Sequence, residues 1–184
     1  MEPIEDYIKG RGAQTNPHNQ FHNNELVFEH IEGLDEYFDH NPGTTKYYID
    51  STKAIVNKVT SPDIGPEWSM NPYRGCEHGC VYCYARNSHE YWGFSAGIDF
   101  ESKIMVKPSA PKLLREYFMR RNYKPQAIML SGNTDCYQPV ERELKLTRSL
   151  IEVMRDARHP FSLITKSSGV ERDLDLLAPL AAQR

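Results

Sequence analysis

The sequence predicts an α/β protein in which a parallel sheet follows an irregular N-terminal extension. From residue 66 onward, short apolar runs of strand length alternate with amphipathic stretches of helical period. Before that point, Asn, His, Gly and Pro are dense, and only brief strand-like runs occur between them. Strands that alternate with helices pair in parallel through right-handed crossovers. We therefore divide the chain into an extension, residues 1–65, and a core domain, residues 66–184.

The extension is expected to contribute little regular structure. Residues 46–49 and 54–59 have the β-branched and aromatic content of short strands. Residues 9–13 combine two cations with two glycines, a composition that can contact phosphate. The same residues fit a flexible basic arm, which is the interpretation we favour.

The core domain is expected to contain three strands, with a helix between the first strand and the second. The strands are predicted at residues 68–73, 127–130 and 161–165. Ser109 is the expected N-cap of the helix, with a proline in its first turn. The apolar face of this helix comprises Leu113, Leu114, Tyr117 and Phe118.

A second helix is predicted to follow Pro139 and to lead into the third strand. Its apolar side chains recur at helical spacing and are expected in the core: Leu144, Leu150, Ile151 and Met154. Glu141 and Lys145 are four residues apart and are expected to pair on the surface. Ligand chemistry in such folds collects at the carboxyl ends of the strands, which directs attention to the loops that follow them.

Composition and charge favour a cytoplasmic protein and exclude a membrane-spanning one. The 184-residue chain has a mean hydropathy of −0.65, and no apolar run approaches the roughly 18 residues of a membrane helix. Oxidisable thiols and the lack of a secretory signal indicate a reducing compartment. The extension carries a net charge of −6 and the core domain +3. This distribution permits a nucleic-acid substrate without arguing strongly for one.

The most informative motif is a CxxxCxxC loop formed by Cys76, Cys80 and Cys83. Three thiolates on one tight loop can hold three irons of a cubic iron–sulfur cluster and leave the fourth iron open for chemistry. Gly75 and Gly79 suit a loop that must approach such a group closely.

The ligand count leaves an alternative open. Structural zinc takes four Cys or His ligands, and His78 lies inside the loop. A zinc knuckle with three cysteines and one histidine is therefore possible. In that case the chain would be a non-catalytic zinc- or cluster-binding interaction module rather than an enzyme.

The wider sequence resembles the radical S-adenosylmethionine (radical SAM) superfamily, and within it an uncharacterised subgroup related to spore photoproduct lyase. The resemblance runs from about residue 9 to residue 184 and includes an aromatic residue, Tyr82, before the third cysteine. It rests on the stretches "SPDIGPEWSMNPYRGCEHGCVYCYAR", "GIDFESKIMVKP", "GNTDCYQPVERELKLTRSLIEVM" and "HPFSLITKSSGVERDLDLLAPLA". It implies a partial (β/α) barrel of the radical SAM type, of which this chain would hold only the N-terminal half. We accordingly expect a C-terminally truncated core domain.

The resemblance also implies the cofactors and the reaction. Cys76, Cys80 and Cys83 would bind a [4Fe-4S] cluster, and the amino and carboxylate groups of S-adenosylmethionine would chelate its open iron. One electron, from a flavodoxin- or ferredoxin-type donor, would then cleave the sulfonium to a 5′-deoxyadenosyl radical. By analogy with the DNA-repair relatives, the reaction would be a lyase-type cleavage on nucleic acid.

Further site residues follow from the same resemblance. Tyr82 is expected near the adenine of the cofactor. Asn133, Thr134 and Asp135 are expected near its amino end, and an Asx-turn is the alternative for this segment. Lys166 is expected to meet the cofactor carboxylate or a substrate phosphate, with a surface salt bridge as the alternative.

Cys136 and several neighbours of the motif admit two interpretations each. A thiol near a radical can donate a hydrogen atom, which makes Cys136 a candidate catalytic residue, although free cysteines are usually inert and buried. Arg74 is expected either to tune the cluster or to be an ordinary loop arginine. Three aromatic residues around the motif are expected to be packing residues: Tyr84, Tyr91 and Trp92.

Overall fold

The computed structural model describes residues 7–21, 44–60 and 68–182, which form a mixed α/β fold with two sheets. The predicted boundary between residues 65 and 66 lies outside the described residues. Within the described ranges, no helix has both the length and the apolar character required to cross a membrane.

Strands and α-helices follow one another along the chain, and the first two strands lie in the extension. The strands are β1 (Lys46–Ile49), β2 (Val56–Lys58), β3 (Trp68–Met70), β4 (Tyr73–Arg74), β5 (Lys103–Val106), β6 (Ile128–Leu130) and β7 (Phe161–Leu163). The helices are α1 (Ile98–Ser102), α2 (Ala110–Phe118), α3 (Glu141–Leu144), α4 (Leu146–Asp156) and α5 (Leu174–Ala181). Single 3₁₀ helices occupy Tyr84–Trp92 and Ser168–Asp173.

The larger sheet has the strand order β2-β3-β6-β7 and confirms the predicted parallel arrangement. Strands β3, β6 and β7 run parallel, with Met70 opposite Leu130 and Leu130 opposite Leu163. Helices α2 and α4 pack against each other beside this sheet and bury Leu114, Leu150 and other apolar side chains in the main core. Because the three parallel strands end at one edge, the loops after them meet there.

The smaller sheet has the order β1-β5-β4 and was not anticipated from the sequence. Its central strand, β5, buries Ile104, Met105 and Val106. Because β5 has only four residues and follows α1 without a loop, it is too short to show the alternating pattern of a strand in the sequence. The strand predicted at residues 68–73 is divided between the two sheets. The division falls at Pro72, which has no N–H to donate to a sheet and whose carbonyl accepts instead from Lys107 N at 3.0 Å. The described strands form these two sheets and do not close into a barrel.

The helix predicted after Pro139 is interrupted at Lys145, which has a φ of 52°. The interruption rotates the first turn relative to α4. Leu144 is 44% exposed instead of buried, and Glu141 is 1% exposed instead of lying on the surface. Glu141 accepts from Arg172 at 2.8 Å and from Tyr73 Oη at 2.5 Å, which replaces the predicted pair with Lys145. The predicted side-chain cap by Ser109 on α2 is also not formed.

Residues 9–13 are docked against the core domain, so the interpretation as a flexible arm was wrong. Glu101, which is completely buried, accepts from Gly12 N and Ala13 N at 3.0 Å each. Arg11 Nη1 donates to the carbonyl of Glu101 at 2.6 Å. Arg86 completes the arrangement with an ion pair to the same carboxylate. Because that carboxylate is occupied by backbone donors and a cation, its burial is compensated.

Candidate metal centre

The cysteine loop follows β4 directly and turns on two glycines. Gly75 and Gly79 have φ values of 76° and 61°, which residues with a side chain rarely adopt. A Cβ at Gly75 would also lie 2.9 Å from the carbonyl oxygen of Phe100. The glycines that flank the first and second cysteines are thus required by backbone conformation and, at Gly75, by close packing as well.

Several remote side chains hold the loop in place. Gln138 is completely buried and bonds two backbone groups of the loop, accepting from Glu77 N at 3.2 Å and donating to Gly75 O at 3.3 Å. Arg86 Nη2 donates to Cys80 O at 2.9 Å. Cys76 N donates to Phe100 O at 2.8 Å. The thiols are therefore positioned by hydrogen bonds to residues far away in the sequence.

The three thiols open onto one cavity of about 230 Å³, at the carboxyl ends of β6 and β7. The same cavity is lined by every cofactor-binding residue that the sequence predicted: Tyr82, Asn133, Thr134, Asp135 and Lys166. The lining is completed by residues that were not predicted to bind the cofactor: His78, Tyr84, Ser131, Gly132, Ile164 and Thr165. The fold thus brings the separate predicted segments together.

Lys166 lies directly beside the cysteine loop. Its Nζ is 3.8 Å from Cys80 Sγ and donates to Tyr82 Oη at 2.6 Å. The same ammonium lies 4.1 Å from the centroid of the Tyr82 ring. The hydrogen bond to Tyr82 raises the pKa of Lys166 above its ordinary value, with Cys80 acting in the same direction. Lys166 therefore brings a positive charge to the thiols and to the cavity.

Asp135 connects the loops that follow β6 and β7. Its Oδ1 accepts from Tyr137 N at 2.8 Å, which is the Asx-turn that the sequence left open, and from Thr165 Oγ1 at 2.7 Å. Its Oδ2 accepts from Lys166 N at 2.9 Å and lies 3.5 Å from His78 Nε2. Asp135 consequently sets the position of Lys166 over the cysteine loop.

The two residues before Asp135 differ in what they present to the cavity. Thr134 is buried, and its hydroxyl donates to Tyr73 O at 2.9 Å, so its side chain already has a structural partner. Asn133 is exposed, and its backbone N–H donates to Asn71 Oδ1 at 3.2 Å. Of the two, Asn133 has the side chain that is accessible to a ligand.

Ser131 and Tyr84 are functional candidates that sequence reasoning missed. Ser131 directly follows β6 with a φ of 74°, an unfavourable conformation for a residue with a side chain. Its hydroxyl donates to Thr134 O at 2.6 Å and accepts from Cys136 N at 3.1 Å. Tyr84 Oη bonds Gly132 O and so joins the cysteine loop to the loop after β6. The only signal in the sequence was a small polar residue at a strand end.

The prediction that the aromatic residues near the motif are packing residues was wrong for Tyr84 and Tyr91, whereas more than half of the Trp92 surface is covered. Tyr84 and Tyr91 are each more than 70% exposed, and Trp92 is 46% exposed. Arg74 is 3.8 Å from the centroid of the Trp92 ring and pairs with Asp50 at 2.6 Å. Arg74 does not line the cavity of the thiols but a neighbouring cavity of about 440 Å³.

Cys136 is separated from the other three cysteines. Its side chain is completely buried in the main core and does not line the thiol cavity. Burial raises the pKa of its thiol well above the ordinary range. The structure thus places Cys136 among packing residues.

The donor set fits an iron–sulfur cluster. Thiolates are the ligands that such clusters require. The three cysteines line a common cavity instead of converging on the position of one metal ion. In the described part of the chain, no group of three or more His, Cys, Asp or Glu side chains is arranged to hold a single metal ion. Burial raises the pKa of Cys76 to about 11, so metal binding must displace a proton from this thiol.

Comparisons with known proteins were made at the level of sequence and of structure. The sequence profile of the radical SAM superfamily matches residues 70–184. An uncharacterised protein of Mycobacterium tuberculosis is 36% identical over 132 residues, which make up 71% of this chain and 39% of the relative. An uncharacterised protein of Methanocaldococcus jannaschii is 33% identical over 124 residues, or 67% of this chain and 44% of the relative. An uncharacterised protein of Acidianus two-tailed virus is 26% identical over 129 residues, with corresponding shares of 67% and 42%. No solved structure matches the chain. The chain spans less than half of the length of these three relatives.

Proposed function

Because the chain belongs to the radical SAM superfamily, we propose that it forms the cluster-binding part of a radical SAM enzyme with a partial (β/α) barrel. In this proposal Cys76, Cys80 and Cys83 hold a [4Fe-4S] cluster, and S-adenosylmethionine occupies the cavity beside it. The observation that supports the proposal is the convergence of the three thiols with Tyr82 and Lys166 on one cavity.

The chemistry of the bound groups is that of the superfamily. A cluster held by the three cysteines would supply one electron to S-adenosylmethionine, whose sulfonium would be cleaved to methionine and a 5′-deoxyadenosyl radical. The residues of this chain would bind S-adenosylmethionine and orient it. The Lys166 ammonium is available to a carboxylate, and the Asn133 amide and Asp135 carboxylate to an ammonium group. The exposed ring of Tyr82 offers a flat surface to a purine.

These residues are held in place by hydrogen bonds within the protein. Asp135 Oδ2 accepts a hydrogen bond from the backbone N–H of Lys166 at 2.9 Å. Gln138 holds the cysteine loop through Glu77 and Gly75. Binding groups that are held by neighbouring hydrogen bonds lose little conformational entropy when a ligand arrives, which favours affinity.

The wider assignment is part of the same proposal. The reductant would be a flavodoxin- or ferredoxin-type protein in the cytoplasm. The reaction would be a lyase-type cleavage, with nucleic acid as a candidate substrate. Fold and cofactor alone do not determine a substrate, so these elements rest on the resemblance to the lyase subgroup.

Anaerobic reconstitution with iron and sulfide tests the central claim. We expect a brown protein with iron–sulfur charge-transfer absorption and, after reduction, an EPR signal that changes on addition of S-adenosylmethionine. A variant with Cys76, Cys80 and Cys83 all replaced by alanine should take up no cluster, whereas the matched control Cys136→Ala should take up as much as the wild type. Stoichiometric zinc with no uptake of iron and sulfide would contradict the proposal and support the interaction-module alternative.

A further inference from the structure

A second cavity, of about 440 Å³, adjoins the thiol cavity. Gly132, Asn133 and Thr134 line both cavities and form the wall between them. The remaining lining is mixed and includes the polar side chains of Asn57, Ser69 and Lys107. A molecule in the second cavity would therefore lie next to whatever occupies the first.

Lys107 carries an uncompensated charge into this cavity. Its residue is 4% exposed, and its Nζ donates to the carbonyl of Asn71 at 2.7 Å. Among the described residues, no carboxylate lies within ion-pair distance of this ammonium. An ammonium has three N–H donors, and a buried charge without a counter-charge is costly.

The neighbouring charges do not neutralise Lys107. Asp50 contributes a favourable interaction, but its Oδ2 is 2.6 Å from Arg74 Nε, so that carboxylate already has a cation. Burial, with Arg74 acting in the same direction, lowers the pKa of Lys107 to about 8. By formal charge, the cluster of Asp50, Arg74 and Lys107 holds two cations and one anion, and the anion is paired with Arg74.

The fold holds Lys107 in this position. Lys107 directly follows β5, and its backbone N–H donates to Pro72 O at 3.0 Å. Its side chain is anchored on Asn71, the residue whose amide oxygen accepts from Asn133 N at 3.2 Å. Asn71 therefore links the position of Lys107 to the wall that separates the two cavities. A charge that is held at a cavity in spite of its cost indicates a binding role rather than a stabilising one.

From this arrangement we propose that the second cavity binds the anionic group, a phosphate or a carboxylate, of the substrate. Lys107 supplies the counter-charge, and the amides of Asn57 and Asn133 supply hydrogen bonds. The rest of the substrate extends across the wall of Gly132, Asn133 and Thr134 toward the cofactor. The assignment of this ligand as a substrate rests on the proposed function, whereas the anion site itself does not.

Thermal unfolding of the apoprotein, reduced and without cluster, tests the anion site. Inorganic phosphate, pyrophosphate and acetate are titrated separately, with sodium chloride at equal ionic strength as the reference. We expect concentration-dependent stabilisation of the wild type by at least one of the three anions beyond the effect of chloride. The phosphate and acetate arms show which of the two chemical groups the site prefers.

Variants assign the effect to Lys107. Lys107→Met removes an uncompensated buried charge, so its melting temperature without ligand should equal or exceed that of the wild type. Its apparent affinity for the anion should be at least about tenfold weaker, because a charge-assisted hydrogen bond is lost. Lys107→Gln should show the same loss of affinity and provides a polar replacement if methionine perturbs folding. Lys112→Met, on the exposed surface of α2, is the matched control and should bind the anion as the wild type does.

Two results would overturn the proposal. One is the lack of anion-specific stabilisation of the wild type, and the other is equal stabilisation of the wild type and both Lys107 variants. Because neither cluster nor S-adenosylmethionine is present, these results are independent of cluster uptake. Failed reconstitution with intact anion binding would remove the proposed enzyme and retain the site.

Discussion

Gly12 lies so close to Gly79 that a Cβ on Gly12 would be 1.9 Å from the carbonyl oxygen of Gly79. The segment before the sheets is thereby packed directly against the cysteine loop. Glu101 reinforces the contact by accepting from the backbone of Gly12 and from Arg86, which also donates to Cys80 O. The loop that carries the thiols thus depends on residues from the extension as well as from the core domain.

Gly12→Ala should displace the cysteine loop and lower its capacity for a cluster. The backbone carbonyl of Gly79 cannot move away without changing the positions of Cys80 and its neighbours. The measurement is iron and sulfide bound per chain after reconstitution. Gly10→Ala is the control for a Gly-to-Ala change in the same segment: Gly10 has a positive φ of 83°, which Gly12 does not, but its Cβ would meet no atom within 4 Å. Equal iron content in the two variants would show that the loop does not depend on this contact.

Glu101→Gln should destabilise the protein by about 3 kcal/mol, because it leaves the mostly buried Arg86 guanidinium without its counter-charge. Denaturant unfolding of the apoprotein measures this change. Limited proteolysis should in addition show earlier cleavage between residues 7 and 21. Glu116→Gln on the exposed surface of α2 is the matched control and should change stability by less than about 0.5 kcal/mol. A small effect of both substitutions would mean that the buried carboxylate is not a structural centre.

Lys166→Met should weaken binding of S-adenosylmethionine by at least about tenfold while leaving cluster uptake unchanged. The ammonium is near Cys80, but it is not a ligand, and the thiols keep their backbone supports. The concentration of S-adenosylmethionine that perturbs the EPR signal of the reduced cluster gives the affinity. Lys112→Met serves as the control for removal of a lysine charge. Unchanged affinity in Lys166→Met would remove Lys166 from the cofactor site.

His89→Phe should reduce the sensitivity of the protein to acid. His89 is buried between Phe94 and Phe100, and burial lowers its pKa to about 4 from 6.5. Between these two pH values the unfolded chain binds a proton that the native state does not, so the wild type loses stability as the pH falls from 6.5 to 4. The difference in unfolding free energy between variant and wild type should therefore increase across this window and stay constant above it. A constant difference at all pH values would show that His89 titrates alike in both states.

Cys136→Ala should leave the yield of 5′-deoxyadenosine per cluster unchanged. The thiol is enclosed in the core and does not reach the cavity of the other three cysteines. Its removal should instead lower stability, because a buried side chain is shortened. A reduced yield at unchanged cluster content would restore Cys136 as a catalytic candidate. Cys83→Ala, which removes a proposed ligand, is the contrasting variant and should abolish both cluster and yield.

Much of the candidate site could be predicted because its residues belong to patterns that are local in the sequence. The spacing of Cys76, Cys80 and Cys83 is visible in one turn of chain, and the polar residues after β6 and β7 follow apolar runs directly. The rule that parallel strands share a carboxyl edge then brought Asp135 and Lys166 to the same place. The two residues are joined by a hydrogen bond of 2.9 Å, although 31 positions separate them.

The sequence by itself determined the α/β alternation, the three parallel strands of the larger sheet and the clustering of thiols with polar strand ends, because each depends on local periodicity. Tertiary structure alone decided the pairing of β1 with β5, the burial of Glu101 and Glu141, and the uncompensated charge of Lys107. A glutamate or lysine has the same local pattern whether it faces water or a buried partner. Only contacts between residues distant in the chain decide whether such a side chain has a partner. These contacts make Glu101 the acceptor that holds residues 12 and 13 against the core domain, and they leave Lys107 as a candidate binding group.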